Sequence, residues 1–321
     1  MRILVTGGAG FIGSHTVLQL AKMGHDCVVI DNLGNGHADA VLYGRLVVAD
    51  VRNVKALSAL MAEEKIDGVV HFAAFIEAGA SMVEPLRFWY NNLGATWSVL
   101  SAMKEVGIDK LVYSSTAALF GNPLRQPIEE DDPQHPTNPY GDTKLACEKL
   151  IGDSCAAHGL RAVMLRYFNA AGADPEGRLG ERHDPETHLI PLALAAAAGD
   201  RGALTLFGTD YPTPDGTCIR DYIHVADLAD AHVKALDYLD AGGPSRTFNL
   251  GCGQGWTVRQ VIQAVEQVTG RSVPLILGPR RAGDPIALVA ANGRALAELS
   301  WQPRFPDLRE MVDHAWRYYR H

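Results

Sequence analysis

The segment Thr6-Gly-Gly-Ala-Gly-Phe-Ile-Gly13, directly behind the apolar run Arg2-Ile-Leu-Val5, leaves the start of this chain little freedom. A short β-branched run, a glycine turn and then Ser14-His-Thr-Val-Leu-Gln-Leu20 predict strand, tight loop and helix. Gly7 permits the sharp turn, Gly10 lets a pyrophosphate approach the backbone, and Gly13 lets the helix pack on the strand. The helix start, with Phe11 and Ile12 in it, adds unpaired N–H groups and a positive dipole end. Glycine also collects in turns for purely structural reasons. Here the context favours a dinucleotide, because the next apolar run, Cys27-Val-Val-Ile30, ends in Asp31. A carboxylate at that strand end can accept hydrogen bonds from an adenosine ribose.

The first half alternates strand-like and helix-like segments, with strands expected at Arg2–Thr6, Cys27–Asp31, Arg45–Ala49, Gly68–Ala73 and Lys110–Ser115. That alternation predicts an α/β fold, a Rossmann-type doubly wound parallel sheet covered by helices on both faces. Right-handed crossovers bring the carboxyl ends of the strands to one edge, where ligands bind. Asp50 and Val51, the run His71-Phe-Ala-Ala74 and Ser114-Ser-Thr116 all fall there. Asp50 and Val51 suit an adenine edge, and an aspartate after a strand is equally a turn former. Phe72, Ala73 and Ala74 count as cofactor contacts. His71, within an apolar strand, reads as a satisfied core histidine. No histidines or cysteines stand at zinc spacing, so no metal is expected.

Residues 121–139 read as a surface excursion. A sixth strand is expected over Gly159–Asn169. Beyond it the alternation gives way to a smaller mixed α/β domain, so residues 1–169 form the dinucleotide domain and 170–321 the substrate domain. Later segments such as 220–250 are expected to return to the first. Tyr222–Val225 reads as a strand, with amphipathic helices at Asp227–Leu239, Thr257–Thr269 and Asp307–Arg320.

Pro139-Tyr-Gly-Asp-Thr-Lys144 opens a helix, placing Tyr140 and Lys144 on one face. Taken alone, an exposed tyrosine and a solvated lysine are commonplace. Behind a dinucleotide loop and a Ser-Ser-Thr strand end they make chemical sense together. A phenol titrates near pH ~10, and a neighbouring ammonium favours the phenolate. Thr116 can hold an alcohol hydroxyl while Tyr140 takes its proton and the carbon gives hydride to a nicotinamide.

With these motifs in place the chain resembles the extended short-chain dehydrogenases/reductases, and within them the UDP-sugar 4-epimerases. Further matching blocks are Leu165–Asn169, Gly180-Glu181, Leu189-Ile-Pro191, Asp215–Val225 and Pro279-Arg-Arg-Ala-Gly-Asp284. The resemblance implies bound NAD and interconversion of UDP-glucose and UDP-galactose through a transient 4-keto sugar. It implies catalysis by Thr116, Tyr140 and Lys144, and NAD contacts from Asn32, Asn35, Asn91 and Tyr167, besides Tyr140 and Lys144. It places Asn169, His188, Leu189 and Phe207 on the nucleotide, Arg220 and Arg281 on the diphosphate, and Asp284 on the uridine ribose. It also implies a homodimer through Pro85–Gly107 and Tyr140–His158. Ile76 stands where many members carry a lysine, His188 where asparagine is common, and Leu288 where a large tyrosine excludes N-acetyl groups. UDP-N-acetylhexosamines, and UDP-uronates or pentoses, therefore remain alternative substrates. Ala117-Ala118 replace the acid pair that a 4,6-dehydratase needs. A non-catalytic NAD-sensing regulator is the reading from another class, and it has no need of Thr116, Tyr140 and Lys144 together.

A net charge of −8 argues against nucleic acid or an anionic membrane as the main partner. Five cysteines without a pairing framework suit a reducing compartment, and the chain enters its first strand without an evident signal peptide. A cytoplasmic location is the expectation.

Overall fold

Ile3, Leu4 and Val5 have no exposed surface, as a strand covered on both faces requires. Their alternation feeds two cores. Ile3 and Val5 pack with Val17, Leu20, Leu236 and Phe248 on one face, and Leu4 packs with Leu57, Val99 and Leu111 on the other. The computed structural model describes residues 1–281 and 284–320.

In chain order the strands are β1 Arg2–Thr6, β2 Asp26–Asp31, β3 Arg45–Val48, β4 Gly68–His71, β5 Lys110–Ser114, β6 Arg161–Tyr167, β7 Asn169–Ala171, β8 Leu204–Phe207, β9 Ile219–His224, β10 Arg246–Leu250, β11 Gly255–Thr257, β12 Leu275–Gly278 and β13 Ala287–Leu288. Seven form one parallel sheet in the order β10-β6-β5-β4-β1-β2-β3. The strand order reverses between β1 and β4, which opens a crevice beyond their carboxyl ends. A smaller sheet has the order β11-β9-β13 with β7 beside β9, and β8 pairs with β12. Its neighbouring core includes Ile190, Leu194, Val261, Val265, Met311 and Trp316.

Several boundaries differ from expectation for local reasons. The sixth strand divides at Phe168: β6 stays in the large sheet while β7 joins the small one. Of residues 220–250, β9 lies in the small sheet, whereas β10 pairs with β6 and helix Val225–Asp240 packs against helix Phe11–Lys22. That helix starts before Asp227 because His224 caps it, its Nδ1 accepting from the Ala226 N–H at 3.0 Å. Asp227 instead turns inward and accepts from the Phe305 N–H at 3.0 Å. The 121–139 excursion is pinned rather than loose. Ile128 is fully buried, and its N–H donates to the Val289 carbonyl at 2.8 Å. No helix among the described residues is long and apolar enough to cross a membrane.

Candidate active site

The crevice at the strand-order reversal continues into a cavity of about 600 Å³, walled on one side by the glycine loop and on the other by the small sheet. Gly7 sits at φ +69°, and a Cβ there would come within 2.7 Å of the Ala73 nitrogen. A Cβ on Gly13 would meet the Gly7 carbonyl oxygen at 2.2 Å, so helix and loop touch through hydrogen only. A Cβ on Gly10, by contrast, would meet the Gly7 carbonyl oxygen only at 3.4 Å, and no side chain caps the helix that starts at Phe11. First-turn N–H groups therefore face the cavity free for an anion. Asp31 is buried and braces this loop, accepting from Ala9 N–H at 3.0 Å and Leu33 N–H at 2.8 Å. These residues fit a dinucleotide.

Further along the same wall lie Asn32, Asn35, Val51, Phe72, Ala73 and Ala74. Asn35 donates to Glu77 at 3.1 Å. Asp50 also lines it, held below its ordinary pKa by Arg52, whose Nε lies 2.9 Å away. Ile76 reaches the cavity too. His71 is buried between the hydroxyls of Thr6, at 2.6 Å, and Thr96, at 3.2 Å, and burial lowers its pKa to about 3. It is a core histidine, as its apolar strand suggested.

Asn138 caps the helix Pro139–His158 by accepting from Gly141 N–H at 2.9 Å, and Pro139 occupies its first turn. This start aims Tyr140 into the cavity beside Thr116 at the end of β5. Burial pushes the Tyr140 phenol up to about 12, and the Thr116 hydroxyl opposes the rise. Lys144 is buried, does not itself line the cavity, and donates to the Ser114 carbonyl at 2.7 Å. Burial lowers its pKa to about 8. Tyr167 reaches the cavity with its hydroxyl on Ser114.

Asn169, His188, Leu189, Arg220, Asp284 and Leu288 form the opposite wall. Arg220 is fixed by the Ile219 carbonyl at 2.8 Å and the Pro285 carbonyl at 2.9 Å, and it stands 3.9 Å from Asp284. Phe207 and Arg281 lie outside this lining: the Arg281 guanidinium covers the Phe207 ring at 5.1 Å and bonds Asp284 at 3.0 Å. Ala282 and Gly283 of the matching block fall outside the described residues.

Other residues at the site carry no sequence signal in isolation. Beside Asn91, which the resemblance singled out and which lines the cavity from a π-helical turn, buried Asn92 fastens three segments. Its amide accepts from Phe75 N–H at 2.8 Å and donates to Thr143 Oγ1 at 3.0 Å. Ser81 accepts from the Tyr140 N–H at 3.1 Å. Beneath Thr116, Glu148 binds Ser115 and Arg166, a buried network four residues beyond Lys144. The absence of a metal was expected from cysteine and histidine spacing, yet Glu181, His183, Glu186 and His188 converge at the cavity edge. Burial lowers the His183 pKa, but Glu181 and Glu186 outweigh it and push it up to about 10.

A seven-stranded parallel sheet with a glycine loop at its crossover, joined by one cavity to a Tyr-x-x-x-Lys helix and a threonine, defines a Rossmann-type protein built for a nucleotide cofactor. The chain belongs to the NAD dependent epimerase/dehydratase family, whose model matches residues 3–251. It is 50% identical over 320 residues to the UDP-glucose 4-epimerase of Lacticaseibacillus casei, covering 99% of this chain and 97% of that one. The structure of UDP-glucose 4-epimerase from Brucella ovis in complex with NAD is similar with a TM-score of 0.97 and 47% identity, covering 99% of this chain and 98% of that one. The Stenotrophomonas maltophila enzyme, bound to NAD and formylated UDP-arabinopyranose, follows at 0.96 and 41% identity, covering 100% and 98%.

Proposed function

We propose that the chain is an NAD-dependent 4-epimerase that interconverts UDP-glucose and UDP-galactose through a transient 4-keto sugar. The observation that carries this reading is the single cavity in which Tyr140 and Thr116 stand between a dinucleotide wall and a wall bearing Arg220 and Asp284. NAD supplies the acceptance and return of hydride at the sugar carbon 4. Gly7, Gly10, Phe11, Ile12 and Gly13 hold its pyrophosphate, Asp31 its adenosine ribose, and Asp50 with Val51 its adenine. Asn32, Asn35, Phe72, Ala73, Ala74, Asn91 and Tyr167 complete the cofactor contacts.

Tyr140 removes the proton of the 4-hydroxyl and returns it, with Thr116 holding that hydroxyl. A phenol near 12 is a weak base at neutral pH, so turnover requires positive charge close to it when substrate is bound. Lys144 contributes from beneath, fixing the Ser114 backbone at the strand end. Arg220 and Arg281 grip the diphosphate, and Asp284, Asn169, His188, Leu189 and Phe207 hold the uridine side. Holding the nucleotide firmly and the sugar loosely leaves the 4-keto sugar free to turn over before Tyr140 returns the proton. Residues 1–169, with the segments that return at 225–250, serve the cofactor, and residues 170–321 serve the UDP-sugar.

A second reading, turnover of N-acetylated UDP-sugars, is favoured by Leu288, which bounds the cavity with less bulk than a tyrosine. A homodimer is supported by exposed apolar side chains on the Pro85–Gly107 stretch, where Leu86 is 82% and Tyr90 71% exposed. Five free thiols support a cytoplasmic location.

The test is incubation of the purified protein with UDP-galactose, without added cofactor, followed by proton NMR. Appearance of UDP-glucose supports both the reaction and a retained NAD. If nothing changes even with NAD supplied, the hexose assignment fails, and turnover of UDP-N-acetylgalactosamine alone would move the function to that substrate.

A further inference from the structure

Within eight residues, Glu181, His183, Glu186 and His188 bring four donor atoms to within 4.8 Å of one another. Proton transfer at the sugar uses none of the first three. The His183 Nδ1 lies 3.2 Å from Glu181 Oε1 and 3.7 Å from Glu186 Oε2, and the His188 Nδ1 lies 3.5 Å from the other Glu186 oxygen, Oε1. Around a tetrahedral ion with bonds of about 2.0–2.2 Å, neighbouring donors stand about 3.4 Å apart. The fourth separation, 2.5 Å between His188 Nδ1 and Glu181, is a direct hydrogen bond that an ion would open.

Two further observations point to a ligand. The buried Nδ1 of His183 makes no directed hydrogen bond in spite of its acidic neighbours. The Glu186 carboxylate is itself oriented, one oxygen accepting from the N–H groups of Thr187 and His188 at 2.7 Å each. Such support behind a ligand is what fixes the geometry of metal sites. The side chains of Glu181 and Glu186 are only 7% and 19% exposed, so two carboxylates are withdrawn from water together. A dication between them takes the place of the imidazole protons as their counter-charge. His188, at 43%, leaves an entry path and room for a water ligand.

We propose that Glu181, His183, Glu186 and His188 form a binding site for one divalent transition-metal ion of the zinc class. Two imidazoles and two carboxylates suit such an ion, whereas magnesium and calcium prefer all-oxygen sets. The ion exchanges with protons on the imidazoles, which leave to solvent. It fastens residues 181–188 into one rigid loop and so sets His188 on the substrate wall. The site is independent of which sugar is turned over.

Cobalt(II) is the probe. The wild-type protein, with its NAD retained, is freed of metal by chelation and titrated while visible absorption is followed, with zinc then added as competitor. The expected result is saturation at one cobalt per chain with intense low-symmetry d–d bands, abolished by zinc. His183→Gln/Glu186→Gln, shown by circular dichroism to be folded, is expected to bind at least about 100-fold more weakly, since two of the four ligands are gone. Failure of the wild type to take up cobalt overturns the site, leaving a proton-bridged cluster. Bands that persist undiminished in the double variant overturn it as well, because the ion then sits elsewhere.

Discussion

The cofactor wall of the cleft is made of strand ends and turns that follow one another along the first 170 residues, whereas the substrate wall is gathered from short, distant pieces. Gly7–Gly13, Asp31, Asp50 and Phe72–Ala74 each end or follow a strand of one sheet, so its topology alone brings them together. Asn169, His188, Arg220 and Leu288 come instead from the small sheet and the loops around it. The first wall is set by backbone, with glycines that leave no room for a Cβ. The second is set by side chains, such as Arg220 braced on two carbonyls. A wall of backbone can hold one constant cofactor rigidly, and a wall of side chains can be altered residue by residue.

The largest effect is expected where the walls meet. Tyr140→Phe should lower kcat for UDP-galactose by about 10²–10⁴-fold, the usual worth of a positioned acid–base group. NAD content, measured after denaturing the protein, should remain as in wild type. Turnover retained within tenfold would move the base elsewhere in the cavity.

Lys144, packed under the cofactor wall, should show itself in stability. Its folded pKa, about 8, lies below the ordinary 10.5. Below pH 8 both folded and unfolded chains hold the proton, and the fold carries the cost of a buried ammonium. Between pH 8 and 10.5 the unfolded chain binds more protons, so stability rises with pH relative to a chain without the group. Cofactor-free wild type should therefore gain on Lys144→Met by on the order of 3 kcal/mol across that window. Urea unfolding at several pH values measures it, and a flat difference would mean that the ammonium is solvated.

How much of this was legible follows the same division. The glycine loop, Asp31 and the parallel alternation could be read because period and turn chemistry are local. Tyr140 and Lys144 were legible as a helical pair, but their titration was not, because it depends on burial that no spacing encodes. The split at Phe168, the inward turn of Asp227 and the pinning of Ile128 depend on partners more than 50 residues away. Asn92 is one amide among several, and only the packed fold shows that it ties Phe75 to Thr143. The Glu181–His188 cluster does not show in cysteine and histidine spacing, because two of its four donors are glutamates.

Smaller effects should separate the walls. Gly13→Ala drives a Cβ against the Gly7 carbonyl and should cost about 1–3 kcal/mol of stability, with loss of retained NAD. Arg220→Met should leave NAD in place and raise KM for the UDP-sugar about 10- to 150-fold, the worth of a charge-assisted hydrogen bond of about 1.5–3 kcal/mol. If Arg220→Met also released NAD, the walls would be one coupled unit.

The smallest effect concerns the strap that joins them. Arg182, in the loop of the substrate wall, makes a two-pronged pair with Asp39 of the cofactor wall at 2.7 and 3.0 Å, and its carbonyl accepts from His37 at 2.7 Å. Arg182 is 37% and Asp39 71% exposed, so solvent screens the pair heavily. A double-mutant cycle with Arg182→Ala and Asp39→Ala should give a coupling of about 0.2–1 kcal/mol, as exposed pairs do. That coupling should vanish at 1 M salt, where the screening length is about 3 Å. Losing the pair frees the loop of Arg182 from residues 37–40, so either variant should release UDP-glucose faster at low salt, by no more than about fivefold, and match wild type at high salt. Stopped-flow measurement of UDP-glucose release reads this directly. Release rates equal to wild type at low salt would mean that the walls are held together by their packed interiors, with the strap contributing nothing to their motion.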